Sequence, residues 1–167
     1  MNELTGKTLA GIARMQAALA LMLFVPAWTP AYWQAWLYWT LSTAAAPSTA
    51  LYFLKRDPAL MRRRLDVGAA AEPLGSQKII QGIGGLLYAA TFVVAGVEHR
   101  VRGASVPALV VFIADAVVLV GLALTFVAFK ANTFAASTVT VETGQRVVTT
   151  GPYAIVRHPM YASYVFG

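Results

Sequence analysis

Cysteine is absent from all 167 residues. That excludes a disulfide framework, a thiolate metal site and a cysteine nucleophile. Charge is scarce too. Asp, Glu, Lys and Arg together make up 12% of the chain, against about 25% in a typical soluble domain. A soluble fold of this length buries roughly two thirds of its surface and needs a polar exterior for the rest. So little charge cannot supply one. No internal repeat is found, and the alanines at 44–46 and 50 suggest ordinary close helix packing. What the chain does have is apolar residues, 58% of the total, gathered in long runs. Lipid must solvate much of such a surface, so the sequence describes an all-α integral membrane protein.

Four runs are candidates for transmembrane helices, at about 9–28, 32–54, 79–97 and 108–129. A helix needs about 20 apolar residues to cross the hydrocarbon. The first run contains Arg14 and Gln16, so Arg14 has to snorkel to the interface. The second contains Pro47, where a kink is expected and tolerated. A secretory signal is the rival for the first run. No small-x-small cleavage site follows it, and the second run starts almost at once. Residues 66–77 contain Gly, Pro and Ser and are expected to form a loop.

The net charge of +6 does not point to nucleic acid, because the basic residues lie between the apolar runs. Eleven of the thirteen Lys and Arg residues fall in the N-terminal end, the 55–78 loop and the tail. Only Arg100 and Arg102 lie elsewhere. The positive-inside tendency therefore puts the N-terminus, the long loop and the tail in the cytoplasm. Trp28, Tyr32, Trp33 and Trp36 gather at the opposite interface, where amphipathic rings settle. The alanine-rich, cysteine-free composition suggests a bacterial inner membrane.

Inside the spans, Gly82, Gly85, Ala89 and Gly96 share one helix face, and small residues let a neighbouring helix approach closely. Asp115 is an ionisable group within a span, a functional candidate by default. Packing or a local ion pair near His99 or Arg100 is its more ordinary role. The run Arg62-Arg63-Arg64 fits topology and contact with anionic headgroups.

The character changes after Lys130. Residues 132–150 are polar and rich in Thr and Val, and they lead to Gly151-Pro152-Tyr153-Ala154-Ile155-Val156-Arg157-His158-Pro159-Met160-Tyr161. Gly-Pro predicts a turn. Pro159 disfavours helical geometry at His158 and suits the first position of a new helix. The apolar run 161–166 predicts the start of a fifth helix. Arg157 and His158 then sit at a helix N-terminus, where an anion is attracted. Tyr153 and Tyr161 offer ring faces to a cation. A ligand carrying both a carboxylate and a fixed positive charge would suit the pair. On chemistry alone, a basic juxtamembrane turn with interfacial tyrosines is the simpler account.

The stretch 145–161, with Thr-Gly-x-Tyr followed by Arg-His-Pro-x-Tyr, resembles the cofactor motif of the isoprenylcysteine carboxyl methyltransferase family, related to the phospholipid methyltransferases. The resemblance is strong over about 130–167. It is looser at Lys55-Arg56-Asp57-Pro58-Ala59-Leu60 and Arg63-Arg64-Leu65. It implies a cytosolic cofactor segment at 131–167, following a four-span region at 1–130. It implies S-adenosylmethionine as cofactor, with Gln145, Arg146, Val147 and Val148 lining it and Tyr153 against it. His158, Pro159, Met160 and Tyr161 would form the second half of the cradle, and Arg157 would help electrostatically. The implied reaction is in-line methyl transfer to a lipophilic, lipid or prenylated acceptor, with no metal and no nucleic acid. Family members continue past this motif into further helix and an acidic motif with a nearby arginine. The present sequence stops at Gly167, so no catalytic residue is assigned, and the chain is expected to be a fragment with little activity alone. Two other functions fit the composition: a small transporter or assembly protein centred on Asp115, and a related membrane reductase using a nicotinamide cofactor.

Overall fold

The computed structural model describes residues 3–65, 67–103, 106–137 and 147–166. Six α-helices follow in order: α1 (Glu3–Ala27), α2 (Trp33–Arg56), α3 (Pro58–Arg63), α4 (Gly75–Arg102), α5 (Ala108–Ala131) and α6 (Pro159–Tyr164). Short 3-10 turns occupy Ala69–Ala71 and Gly151–Ala154. No strand occurs among the described residues, so the valine-rich approach at Val147 and Val148 is irregular backbone.

The long helices outrun the apolar runs that predicted them. Apolar residues mark the hydrocarbon, whereas the backbone stays helical into the polar interface. Thus α4 begins at Gly75, inside the segment expected to be a loop, and continues to Arg102. Its end is closed by Gly103 at φ 68, whose N–H bonds the His99 carbonyl, an arrangement glycine adopts without a Cβ penalty. α2 runs unbroken through Pro47.

Three helices, α1, α4 and α5, are long and apolar enough to cross a membrane. α2 is long enough at 24 residues but is not among them. Its sequence is diluted by Gln34, Ser42, Thr43 and Ser48, and part of that polarity is spent on packing. The Ser42 and Thr43 hydroxyls donate to Gln16 Oε1 at 3.0 and 3.1 Å. Trp39 Nε1 donates to the Gln16 carbonyl at 3.0 Å. Gln16 is therefore an interhelical fastener, and it joins α1 and α2 into an antiparallel hairpin. At the hairpin tip Trp28 takes φ 56, and Trp36 Nε1 donates to the Pro30 carbonyl at 2.7 Å.

α4 lies beside α1, running the same way. A Cβ at Gly96 would stand 2.7 Å from the Leu23 carbonyl oxygen, so only glycine permits this approach. The expected glycine face is thus used at one point. Gly82 and Gly85 are exposed, with no atom closer than 3.9 Å to a Cβ at Gly82 and none within 4 Å at Gly85. α5 follows α2 from Trp33–Phe112 at one end (ring centroids 5.9 Å apart) to Phe53–Phe129 at the other (6.0 Å). The chain direction therefore gathers α3, the 67–74 stretch, the 132–137 turn and α6 at one end of the bundle. The 28–32 turn, Gly103 and Pro107 lie at the other.

Candidate functional site

The C-terminal segment is fixed to the bundle by a small core. Phe53, Leu60, Phe129 and Ala135 are buried together, with Met61, Phe126 and Met160 packed against them. Leu60 is fully buried. It is presented by α3, a helix of six residues, too short to persist alone. Two local devices hold it. Asp57 caps it, its Oδ1 accepting the Leu60 N–H at 3.0 Å, and Pro58 presets the first helical φ.

The next residues of α3 act on the site segment directly. Arg63 Nη1 donates to the Thr133 carbonyl at 3.2 Å, and its guanidinium lies 5.1 Å from the Phe134 ring centroid. Arg64 Nη1 donates to the Ala135 carbonyl at 3.1 Å and lies 4.2 Å from the Phe129 ring centroid. Burial lowers the Arg64 pKa below the usual arginine value, and the nearby Tyr164 hydroxyl on α6 partly offsets this. Arg62 is exposed. The three adjacent arginines thus divide. Arg62 faces solvent or headgroups, while Arg63 and Arg64 clamp the chain where it leaves α5.

That exit is organised by Asn132. Its Oδ1 accepts the Phe134 N–H at 2.9 Å, and its Nδ2 donates to the Tyr153 hydroxyl at 3.2 Å. Tyr153 lies in the turn begun by Gly151, whose φ of 60 suits a residue without Cβ. Beyond it, His158 has φ −129 and ψ 69 as the residue before α6, as Pro159 requires. Pro159 is buried and Met160 partly so. Ser163 is 1% exposed. Its hydroxyl lies 2.8 Å from Thr125 Oγ1 on α5 and donates to the Met160 carbonyl at 2.6 Å.

The motif residues therefore separate by role. Tyr153, Pro159 and Met160 anchor the segment to α5 and its neighbours. Arg157, His158 and Tyr161 are left exposed on one turn. The His158 and Tyr161 rings stand side by side, centroids 5.5 Å apart and tilted by 36°. Val148 is half-buried, whereas Val147 is 90% exposed, so the geometry does not draw Val147 to the His158–Tyr161 turn. Gln145 and Arg146 lie outside the described residues. Sequence reasoning missed Asn132, Thr125 and Ser163, which look like ordinary polar residues until their partners are known. It also undervalued Arg63 and Arg64.

An exposed guanidinium beside two adjacent rings can hold an anion and stack on a flat or cationic group. Residues 109–167, from the first turn of α5 to the end of the chain, match the isoprenylcysteine carboxyl methyltransferase (ICMT) family. This stretch is ICMT-family sequence. It contains α5 from its second residue on, the Asn132 pivot, the Tyr153 turn and α6, whereas the clamping arginines of α3 lie outside it. No curated protein and no solved structure matches the chain significantly. With three helices apolar enough to span a bilayer, the chain is a membrane protein carrying a methyltransferase-family segment.

Proposed function

We propose that the chain forms part of an S-adenosylmethionine-dependent membrane methyltransferase acting on a lipophilic acceptor. The observation that carries this is the ICMT match over the α5–α6 unit, with its exposed Arg157-His158 pair and Tyr161. The residues present suit the cofactor's chemistry. Arg157 can hold a carboxylate. The His158 and Tyr161 rings offer faces to an adenine or a sulfonium. Tyr153, fixed through Asn132, sets the near wall, with the half-buried Val148 on the approach. When bound, the cofactor supplies an electrophilic methyl group. The chain's own contribution is to orient, to exclude water and to hold charge, since a carboxylate acceptor is already anionic and needs no general base.

The acceptor would reach this turn from the bilayer, because the site lies at the end of the apolar helices. We take α2 as a fourth span, since it runs antiparallel to α1 and ends at the same level as α5. The basic residues of the 55–64 region, Lys78, Lys130 and Arg157 all lie at the site end, which supports reading that end as cytoplasmic.

The test is calorimetric titration of the membrane-reconstituted chain with S-adenosylhomocysteine. Binding in the micromolar range is expected. It should weaken by about tenfold or more, the loss of a stacking or charge-assisted contact, in His158→Ala, Tyr161→Ala and Arg157→Ala. These side chains are exposed, so thermal stability should change by less than about 0.5 kcal/mol. Full affinity in all three variants would sink the assignment.

A further inference from the structure

At the end of the bundle away from α6, α2, α4 and α5 with the end of α1 line an open cavity of about 270 Å³. That is near the lower limit of the roughly 300–1,000 Å³ of small-molecule sites. Leu23, Ala35, Phe92, Ala95, Val110 and Val111 make its wall apolar. Two acceptor atoms interrupt it. Asp115 is 8% exposed, and its Oδ2 is buried without a hydrogen-bond partner. Gln34 Oε1, also buried, lacks one as well. Both residues line the cavity, as do the rings of Tyr32 and Tyr38. An adjoining space of about 130 Å³ shares Tyr32 and Gln34 and adds Glu98.

The neighbouring cations are turned to other partners. Arg100 lies over the Trp28 ring at 5.5 Å, Arg102 pairs with Glu98 at 3.5 Å, and His99 stacks on Tyr32 at 3.9 Å. The ion pair expected for Asp115 is therefore not made with His99 or Arg100. A buried carboxylate without a counter-charge is costly in a membrane, and so is a buried acceptor left unpaired. A donor of positive charge with a short apolar body removes both costs and can lie against tyrosine faces. A metal ion is less well served, because no cluster of three His, Asp or Glu ligands occurs among the described residues.

We propose that this cavity is a second site, which binds an organic primary ammonium group between Asp115 and Gln34. It lies within the matched stretch but far from the Arg157–His158–Tyr161 turn. Asp115 precedes Asn132 by 17 positions along α5 and its cap, about 25 Å at 1.5 Å per residue. The ammonium could belong to a free alkylamine or to an ethanolamine lipid headgroup.

The experiment uses the whole chain in nanodiscs of phosphatidylcholine, whose quaternary headgroup has no N–H donor. Thermal unfolding is followed while n-butylammonium or n-butanol is added. A saturable rise in Tm is expected with n-butylammonium and not with n-butanol. Asp115→Asn should shift the half-saturation upward by about tenfold, the loss of one charge-assisted hydrogen bond. Val111→Phe, which fills the cavity and keeps the carboxylate, should abolish the response. In phosphatidylethanolamine nanodiscs, a higher starting Tm with no further rise identifies the headgroup as occupant. An undiminished rise identifies the free amine. Equal responses to the amine and the alcohol would overturn the proposal, as would an unchanged response in either folded variant. S-adenosylhomocysteine affinity should be the same in both variants, so this test and that of the methyltransferase assignment fail independently.

Discussion

Arg64→Ala should release the C-terminal segment from the bundle while leaving the long helices in place. The variant loses a charge-assisted hydrogen bond to the Ala135 carbonyl, about 1.5–3 kcal/mol. It also loses a guanidinium 4.2 Å from the Phe129 ring, about 1–2 kcal/mol when partly desolvated. The Ala135 residue is only 6% exposed, so water replaces the lost donor poorly. The two contributions share one group and are not additive, which leaves roughly 2–4 kcal/mol for the docking of the 132–137 turn and the 147–164 segment. At tenfold per 1.4 kcal/mol, opening of that segment rises by about 30-fold or more. Hydrogen exchange read by mass spectrometry on peptides covering 147–164 would show this as faster exchange in α6, with α1 and α4 unchanged. Arg64→Lys should fall between, because an ammonium cannot both stack flat and bond the carbonyl. Arg62→Ala, next door but exposed, should exchange like the parent. Parental exchange in Arg64→Ala, or equal effects from Arg62→Ala, would show that α3 does not hold the site.

Other substitutions test the same architecture. Gly96→Leu should lower stability by about 1–3 kcal/mol through overpacking, because even a Cβ meets the Leu23 carbonyl at 2.7 Å. Gly84→Ala, with nothing within 4 Å, should be neutral or gain up to about 1 kcal/mol, and thermal melts in detergent separate the two. Leu60→Ala should cost about 2–5 kcal/mol from a fully buried position, and the same melts would register it. Asn132→Ala should weaken S-adenosylhomocysteine binding by freeing the Tyr153 hydroxyl, with little change in Tm. A loss of Tm without a loss of affinity would place Asn132 in the fold alone.

The main helices were legible because apolar runs and turn residues are local signals. Residues 79–97 and 108–129 fell inside α4 and α5, and the Gly-Pro and His-Pro pairs marked the 3-10 turn and the start of α6. The motif was legible for a related reason, since its turn and helix start lie within one short stretch. α2 was the harder case. A run read as a span turns out less apolar than its three companions, and its hydroxyls make sense only beside Gln16. The glycine face shows the same limit. Helical spacing aligned Gly82, Gly85 and Gly96, but α1 meets α4 closely only at Gly96.

By itself, then, the sequence determined that this is a helical membrane protein with an ICMT-like turn at its C-terminal end. Hydropathy, proline geometry and motif spacing act within a few residues, so they survive without a fold. Only the tertiary structure decided what the long-range partners are. It set Arg63 and Arg64 on the 133–135 carbonyls, joined Asn132 to Tyr153, and left Asp115 facing a cavity instead of an ion pair. Each of those depends on how helices far apart in the chain are rotated about their axes, and a local pattern carries no record of that rotation.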